Sequence, residues 1–192
     1  MSQCQKGGIV MRQRYGCMRV QRLLVTGMLI VGALSAAMPQ IGSAEDLPRE
    51  ATLPLSLANK AMQAAVEACK KDGYRVSVSV VDPGGVLRVM GRADGAGPHT
   101  VDSSRKKAYT AVSIRRPTSE LADLIVKVPT LEALRDMNSE ILILGGGLPI
   151  EIGGDVVGGI GVGGAPGTHL DDACAQRGLD AIGATPKVST PK

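Results

Sequence analysis

A tight turn between two valine-rich segments limits the folds open to this chain. Residues 75–81 place valine at every second position among Arg and Ser, which is the period of a half-buried strand. The turn sequence Asp82-Pro83-Gly84-Gly85 follows, and residues 86–90 return as a second strand. Strands joined by so short a turn pair antiparallel. The sequence therefore predicts a sheet that begins with a hairpin.

Five segments are predicted to be helices, and the first has the apolar spacing of three and four residues that is typical of an amphipathic helix. They begin at or near Pro54, Thr100, Thr118, Pro129 and Thr168. Thr100 is predicted to cap its helix, which runs to about Ser113, and Gly73 is predicted to end the first helix. Thr168 is predicted to cap the last helix, with Asp171 three residues on as the partner in a capping box.

Three further strands complete the pattern. Residues 141–144 form a short apolar run, and residues 148–152 and 156–162 flank a second tight turn at Gly153-Gly154-Asp155. The predicted order is α-β-β-α-(α)-β-β-β-α. The sequence thus predicts the α+β class, with a five-stranded antiparallel sheet flanked by helices.

Residues 1–44 have the pattern of a secretory signal peptide. Two arginines precede the apolar run 23–37, and small residues follow up to Ala44, after which we expect cleavage. Met11 and Met18 are alternative starts, since each also leaves a leader of this form. A membrane anchor is the alternative, but the apolar run is shorter than the about 20 residues that a span needs. We therefore expect export to the periplasm or medium.

The charge of the chain changes sharply after this leader. Residues 1–44 hold five Lys/Arg and no acid, which leaves 17 Lys/Arg against 18 Asp/Glu in the remainder. A nearly neutral domain without Phe or Trp has neither the basic field nor the stacking surface of nucleic-acid binders. We expect one domain over residues 45–184 without nucleic-acid partners or a stable membrane span, and a disordered tail over residues 185–192.

Two cysteines, Cys69 and Cys174, remain after the leader, and each lies on a predicted helix. The favoured interpretation is that both are small buried hydrophobic residues. A disulfide is the alternative, because exported proteins meet an oxidising environment. The remaining cysteines and histidines show no spacing that is typical of a zinc site.

The helix that starts near Thr100 carries the main candidate for a ligand-binding cation. Ser104, Ala108 and Ala111 form a stripe of small residues at helical spacing, and Lys107 borders this stripe. A lysine beside small residues is able to reach across a shallow pocket to an anionic group. The alternative is a solvated side chain that lies along the surface.

The loop before that helix supplies further candidates. It places Asp94, His99 and Thr100 at a helix N-terminus, where free backbone N–H groups attract anions. His99 is also eligible to bind a metal or to transfer a proton. The alternatives are that Asp94 and Thr100 only form a turn and a cap, and that His99 is solvated.

Glycine tracts and a second histidine complete the list of candidates. Gly146 and Gly147 allow the backbone to approach a ligand or another strand closely. Residues 159–164 fit the pattern G-x-G-x-x-G, but no βαβ unit follows, so we interpret them as a strand packed tightly on a neighbour. His169 lies in the first turn of the last helix, where the dipole favours a neutral, ligand-binding imidazole; an exposed residue is the alternative.

Five segments in this order resemble one known family. They are Val80-Val81-Asp82-Pro83-Gly84-Gly85, Arg92-Ala93-Asp94-Gly95-Ala96, Lys107-Ala108-Tyr109-Thr110-Ala111, Gly146-Gly147-Leu148-Pro149-Ile150 and Gly158-Gly159-Ile160-Gly161-Val162-Gly163-Gly164. From about residue 53 to residue 182 the chain resembles the GlcG/HbpS-like family, a haem-binding-protein-like domain that also occurs at the C-terminus of PduO-type proteins.

The resemblance implies a five-stranded antiparallel sheet, symmetric homo-oligomers and, for exported members, the binding of haem or a related tetrapyrrole and in some cases its degradation. His99, His169 and Met90 are the side chains chemically eligible to bind haem iron. Two alternatives stay open. One is an enzyme for a small organic acid, in which Lys107 holds the carboxylate and Asp94 or His99 moves a proton. The other is an oligomeric sensor-partner protein with the glycine-rich hairpin at its subunit interface.

Overall fold

The structure is a computed structural model, and it describes residues 49–186. The elements are α1 (Leu55–Lys71), β1 (Ser77–Val81), β2 (Leu87–Arg92), α2 (His99–Ile114), α3 (Thr118–Lys127), a 3-10 helix (Pro129–Asp136), β3 (Gly147–Ile152), β4 (Asp155–Gly163) and α4 (Thr168–Ile182). No helix in this range has both the length and the apolar character needed to cross a membrane. The predicted signal peptide and most of the predicted tail lie outside the described residues. Thr185, at the start of that tail, pairs with Glu151.

The sheet has the order β2-β1-β4-β3, and every neighbouring pair of strands is antiparallel. Both predicted hairpins, β1–β2 and β3–β4, are present. Helices α1 and α4 pack on one face of the sheet, and α2 covers β1, β4 and β3 on the other. The α+β class is therefore confirmed, with helices on both faces of an antiparallel sheet.

The prediction of a fifth strand at residues 141–144 is wrong. Ile141 and Ile143 are buried in a small second core with residues of α3, but their segment has no strand partner. The backbone N–H of Leu142 donates instead to Thr110 Oγ1 at 2.8 Å. A short apolar run does not by itself distinguish a buried strand from a buried irregular segment.

The main core lies between the sheet and the pair α1 and α4. It is aliphatic, as the absence of Phe and Trp requires. Its fully buried members include Val76, Val78, Val80, Ile150, Ile160, Val162 and Leu179. Helix α1 turns a face of alanines toward this core, which allows α1 to lie close to both α4 and the sheet.

A disulfide joins the two helices of this layer. Cys69 of α1 and Cys174 of α4 are bonded, with their Cα atoms 5.5 Å apart and a separation of 105 positions in the sequence. The favoured interpretation of two unlinked cysteines is therefore wrong. Nothing in the sequence shows that α1 and α4 are neighbours, because the contact forms only when both pack on the same face of the sheet.

The glycine-rich strand β4 packs tightly on a neighbour, as the sequence predicts, and that neighbour is α2. A Cβ atom at Gly161 would collide with the backbone of Ser104, and one at Gly159 would lie 2.5 Å from the carbonyl oxygen of Ala108. The small stripe of α2 and the glycines of β4 thus face each other. This close contact within one subunit accounts for both sequence features without a ligand or a second subunit.

The helix caps differ from those predicted. Helix α2 begins at His99 with Pro98 before it, so Thr100 lies inside the helix. The hydroxyl of Thr100 is within hydrogen-bond distance of the Gly97 carbonyl oxygen at 2.6 Å and of Ser77 Oγ at 2.7 Å. Thr100 is therefore a buried link between α2 and β1, and no side chain caps α2.

Candidate functional site

Lys107 is buried in the middle of the protein, where its side chain is 2% exposed. Its ammonium group donates to the carbonyl oxygen of Val162 at 2.9 Å and to Asp171 Oδ2 at 2.8 Å. The ion pair therefore joins α2 to α4 across the end of β4. Lys107 neither lies along the surface nor extends toward an open pocket.

Asp171, the partner of Lys107, is 3% exposed and lies in the first turns of α4. Helix α4 follows Gly167 and has no side-chain cap, so the predicted capping box of Thr168 and Asp171 is wrong. Asp171 Oδ1 accepts instead from the N–H of Ala165 at 3.0 Å. Sequence analysis missed its pairing with Lys107, because a carboxylate at this position is also what a capping box requires.

Gly146 and Gly147 lie against the same ion pair. Gly146 has φ +113°, and a Cβ atom there would lie 2.9 Å from Lys107 Nζ and 2.7 Å from the Cβ atom of Asp171. A Cβ atom at Gly147 would collide with the backbone carbonyl of Lys107. The close approach that the sequence predicts at these glycines is thus an approach of backbone to Lys107 and Asp171.

A second carboxylate lies beside this pair. Asp172 Oδ1 accepts from the N–H of Gly146 at 2.6 Å. Burial raises the pKa of Asp172 above its ordinary value, while hydrogen bonds from Gly146 and Ser119 and the charge of Lys107 act in the opposite direction. The charged groups around Lys107 are therefore bonded to one another and to the backbone. They form a closed charge cluster.

The other predicted site residues lie at the surface. Asp94, His99 and His169 are exposed, and Met90 is 38% exposed on β2. No group of three or more His, Cys, Asp or Glu side chains within residues 49–186 is arranged to hold a metal ion. The structure thus separates the predicted set into exposed Asp94, His99 and His169, and buried Thr100, Lys107, Gly146 and Gly147.

An open groove lies between α1 and the end of β2, and we call it the α1–β2 groove. It consists of two adjoining depressions of about 130 Å³ and 370 Å³, which share Val66, Glu67 and Arg92 in their walls. The larger depression alone lies within the range of about 300–1,000 Å³ that is usual for small-molecule sites. Asp94, which the sequence singles out, lies in the wall of this larger depression.

One wall of the α1–β2 groove is a stripe of α1. Met62, Val66 and Lys70 are spaced four residues apart and therefore lie on one side of the helix. Opposite them lie Gly91 of β2 and the loop that begins at Arg92. Sequence analysis missed this groove. The signal that could have indicated it is the stripe of Met62, Val66 and Lys70 at four-residue spacing.

A second and larger groove, of about 570 Å³, lies between α1 and α4 beside the disulfide. Alanines form much of its wall, and its charged residues are the acids Glu67 and Asp72 and the bases Lys71 and Arg177. Two acids and two bases give this groove no net charge. It lacks the apolar methionine and valine wall of the α1–β2 groove.

These features define a small α+β domain with a sealed charge cluster inside and an open groove at one sheet edge. The chain belongs to the HbpS-like family, whose model, described as haem degrading protein HbpS-like, matches residues 53–180. A 15.0 kDa protein of Citrobacter freundii from the dhaT–dhaS intergenic region is 37% identical over 133 residues, which cover 69% of this chain and 93% of that protein.

Solved structures give the same result. A double mutant of HbpS from Streptomyces reticuli is 46% identical, with a TM-score of 0.67 over 76% of this chain and 97% of that one. A complex of PduOC with haem is 29% identical, with a TM-score of 0.65 over 70% of this chain and 98% of the other. The resemblance inferred from the five sequence segments is therefore confirmed.

Proposed function

We propose that this protein is an exported binder of haem or a related tetrapyrrole. The observation that carries the proposal is the haem complex of PduOC, a relative whose chain aligns with this one over 98% of its length. The described surface also offers an open groove whose walls combine the apolar Met62 and Val66 with three basic and two acidic side chains. The ligand would supply the iron chemistry, and this chain would supply the groove that holds the ring.

Addition of the mature protein, residues 45–192, to hemin tests this proposal. Transfer of hemin from water to a protein groove is expected to shift and sharpen its Soret band, with saturation at one hemin per chain. Bovine serum albumin serves as a positive control, and a protein unfolded in urea serves as the negative control. Absence of any shift at micromolar concentrations would remove the proposal.

Export has its own support in the structure. A disulfide between Cys69 and Cys174 persists in oxidising compartments and is rare in the reducing cytosol. Expression of the full chain, followed by mass spectrometry of the periplasmic and secreted fractions, is expected to find a chain that begins at Glu45. Recovery of the uncleaved chain in the cytosol alone would contradict export.

We also propose that the protein forms homo-oligomers. Strand β2 lies at an edge of the sheet, and Val86 and Leu87 beside it are 65% and 42% exposed. Exposed apolar residues at a sheet edge favour pairing with another chain. Native mass spectrometry is expected to show more than one subunit, together with any retained ligand. A monomer at micromolar concentration would contradict this part of the proposal.

The alternative of an enzyme for a small organic acid has less support from the geometry. It requires Lys107 to hold a substrate carboxylate, but the ammonium of Lys107 is already bonded to Asp171 and Val162. Asp94 and His99 lie at the surface and not beside Lys107, which is buried. We therefore keep tetrapyrrole binding as the proposed function.

A further inference from the structure

We infer that the disulfide between Cys69 and Cys174 is a site of thiol–disulfide exchange, and that the groove between α1 and α4 admits a zwitterionic amino-acid or short-peptide thiol to Cys174. The product is a mixed disulfide on Cys174 and a free thiol at Cys69. The inference is independent of tetrapyrrole binding. It follows from the position of the bond relative to the groove and from the charges in the groove wall.

The groove between α1 and α4 reaches the disulfide from one side. Of the two bonded residues, only Cys174 lies in the groove wall, where it is 2% exposed, while Cys69 is fully buried. Three alanines, Ala64 and Ala68 of α1 and Ala173 of α4, form much of the wall. Their short side chains leave a volume of about 570 Å³ open, which lies within the range that is usual for small-molecule sites. A thiol that enters the groove therefore meets the disulfide at Cys174.

Charged side chains of both signs line the same groove. They are Glu67, Lys71 and Asp72 on α1 and at its end, and Arg177 on α4. None of the ion pairs found within residues 49–186 uses the first three of these side chains. Arg177 makes a single long contact with Asp180, at 3.8 Å, between two exposed side chains. These charges are therefore available to a ligand in the groove.

Two acids and two bases match a thiol that itself has charges of both signs. An amino-acid thiol has an ammonium and a carboxylate group, and a peptide thiol such as glutathione has a second carboxylate. Lys71 and Arg177 lie on different helices and are suited to carboxylates, which they bind through charge-assisted hydrogen bonds. Glu67 and Asp72 are suited to the ammonium group. A thiol without charge gains neither set of contacts.

The exchange itself needs no added oxidant or reductant. The thiolate of the incoming ligand bonds to the sulfur of Cys174, the bond between Cys174 and Cys69 breaks, and its electron pair leaves with the sulfur of Cys69. That sulfur takes up the proton that the incoming thiol released. One disulfide is lost and one is formed, so the reaction involves no net oxidation or reduction.

The position of Cys69 determines how fast the product forms and how long it persists. Cys69 lies in the last turn of α1, where the helix dipole disfavours a thiolate. The sulfur of Cys69 is therefore a slow leaving group. Because Cys69 stays close to Cys174, its thiol expels the ligand again once free thiol is removed. The mixed disulfide is thus expected only while external thiol is in excess.

Incubation of the mature protein with excess glutathione tests the site of attack. Exchange is stopped at early times with N-ethylmaleimide, which labels the free thiol after urea is added, and the peptides are identified by mass spectrometry. Residues 45–192 contain no cysteine besides Cys69 and Cys174, so the assignment is unambiguous. Glutathione is expected on Cys174 and the maleimide on Cys69. Protein unfolded in urea is the control and is expected to have glutathione on both cysteines in similar amounts.

The charge contacts are tested with Lys71→Gln/Arg177→Gln, and Lys60→Gln/Lys70→Gln is the matched control. Lys60 and Lys70 are exposed on α1 and lie outside the wall of this groove. Initial rates with glutathione and with uncharged 2-mercaptoethanol are each divided by the rate of the same thiol with urea-unfolded protein, which corrects for nucleophilicity. The first variant is expected to lower the glutathione ratio about fivefold, the effect of two exposed ion pairs, and to leave the 2-mercaptoethanol ratio unchanged. The control variant is expected to change neither ratio.

Each other outcome overturns part or all of the inference. Glutathione on Cys69, or on both cysteines of the folded protein, would show that the groove is not the route of attack. A folded protein that forms no mixed disulfide, while the unfolded protein does, would show that the bond is inaccessible and has only a structural role. An unchanged glutathione ratio in Lys71→Gln/Arg177→Gln, or an equal loss in the control variant, would remove the recognition of a zwitterionic thiol. Thermal unfolding verifies that each variant is folded.

Discussion

The ammonium of Lys107 lies 2.8 Å from Asp171 Oδ2, and both side chains are almost completely buried between α2 and α4. Each charge is also hydrogen-bonded to backbone, Lys107 to Val162 and Asp171 to Ala165. The pair therefore has the satisfied geometry that a buried salt bridge needs. Its first consequence is for stability and not for ligand binding.

Lys107→Met is expected to lower the free energy of unfolding by about 3–5 kcal/mol, because it leaves the carboxylate of Asp171 buried without a partner. The double variant Lys107→Met/Asp171→Asn is expected to recover much of this loss, since no charge remains. Urea unfolding followed by circular dichroism measures both. The control is Lys106→Met, whose ion pair with Asp102 is partly exposed and is worth about 1 kcal/mol or less. Equal effects at Lys106 and Lys107 would contradict the assignment.

Asp172→Asn is expected to stabilise the protein at neutral pH. Burial raises the pKa of Asp172 in the folded state, so the folded protein binds this proton more tightly than the unfolded chain does. Stability from this group is therefore lost as the pH rises from the ordinary aspartate pKa, about 3.9, through the raised folded pKa.

The gain from Asp172→Asn is expected to be largest above the folded pKa and to vanish below the ordinary one. Unfolding free energies of variant and parent from pH 3 to pH 7 test this sign. Exposed Asp136, changed to Asn, is the control and should show no such trend. If the gain in unfolding free energy of the variant over the parent were smaller at pH 7 than at pH 3, our interpretation would be wrong.

Gly161→Ala is expected to destabilise the protein by about 1–3 kcal/mol or more, because the added methyl group overlaps the backbone of Ser104 in α2. Gly84→Ala is the matched control. Its nearest neighbour would be Asp82 Oδ1 at 3.4 Å, an ordinary contact, so the change should be small. Thermal and urea unfolding of both variants test the packing of α2 on β4. Similar stability of the two variants would show that α2 does not lie this close.

Removal of the disulfide is expected to cost on the order of 2–5 kcal/mol, since the bond closes a loop of about 100 residues. Cys69→Ala/Cys174→Ala is compared with the parent protein before and after reduction. Reduction should lower the stability of the parent toward that of the double variant and leave the variant unchanged. A parent protein that is fully reduced, as judged by thiol titration, and equally stable would contradict this expectation.

The sequence by itself determined the class of fold, both hairpins and the approximate positions of the helices within residues 49–186. These features depend on local periods and turn residues, such as the alternating valines of residues 75–81 and the Asp82-Pro83-Gly84-Gly85 turn, and local signals survive in the folded chain. It also predicted that the glycine-rich strand packs tightly on a neighbour, but the structure alone shows that this neighbour is the stripe of small residues on α2, which the sequence analysis had assigned to a ligand pocket.

Only the tertiary structure decided which residues meet. Lys107 and Asp171 are 64 positions apart, and Cys69 and Cys174 are 105 positions apart. Both contacts arise because α4 returns to pack beside α1 and brings Asp171 to Lys107 of α2. The apolar segment 141–144 likewise became an irregular part of a second core, since Thr110 supplies a hydrogen-bond partner that the sequence pattern does not show. Contacts between distant segments depend on how the helices and the sheet pack together. A local sequence pattern does not specify that packing.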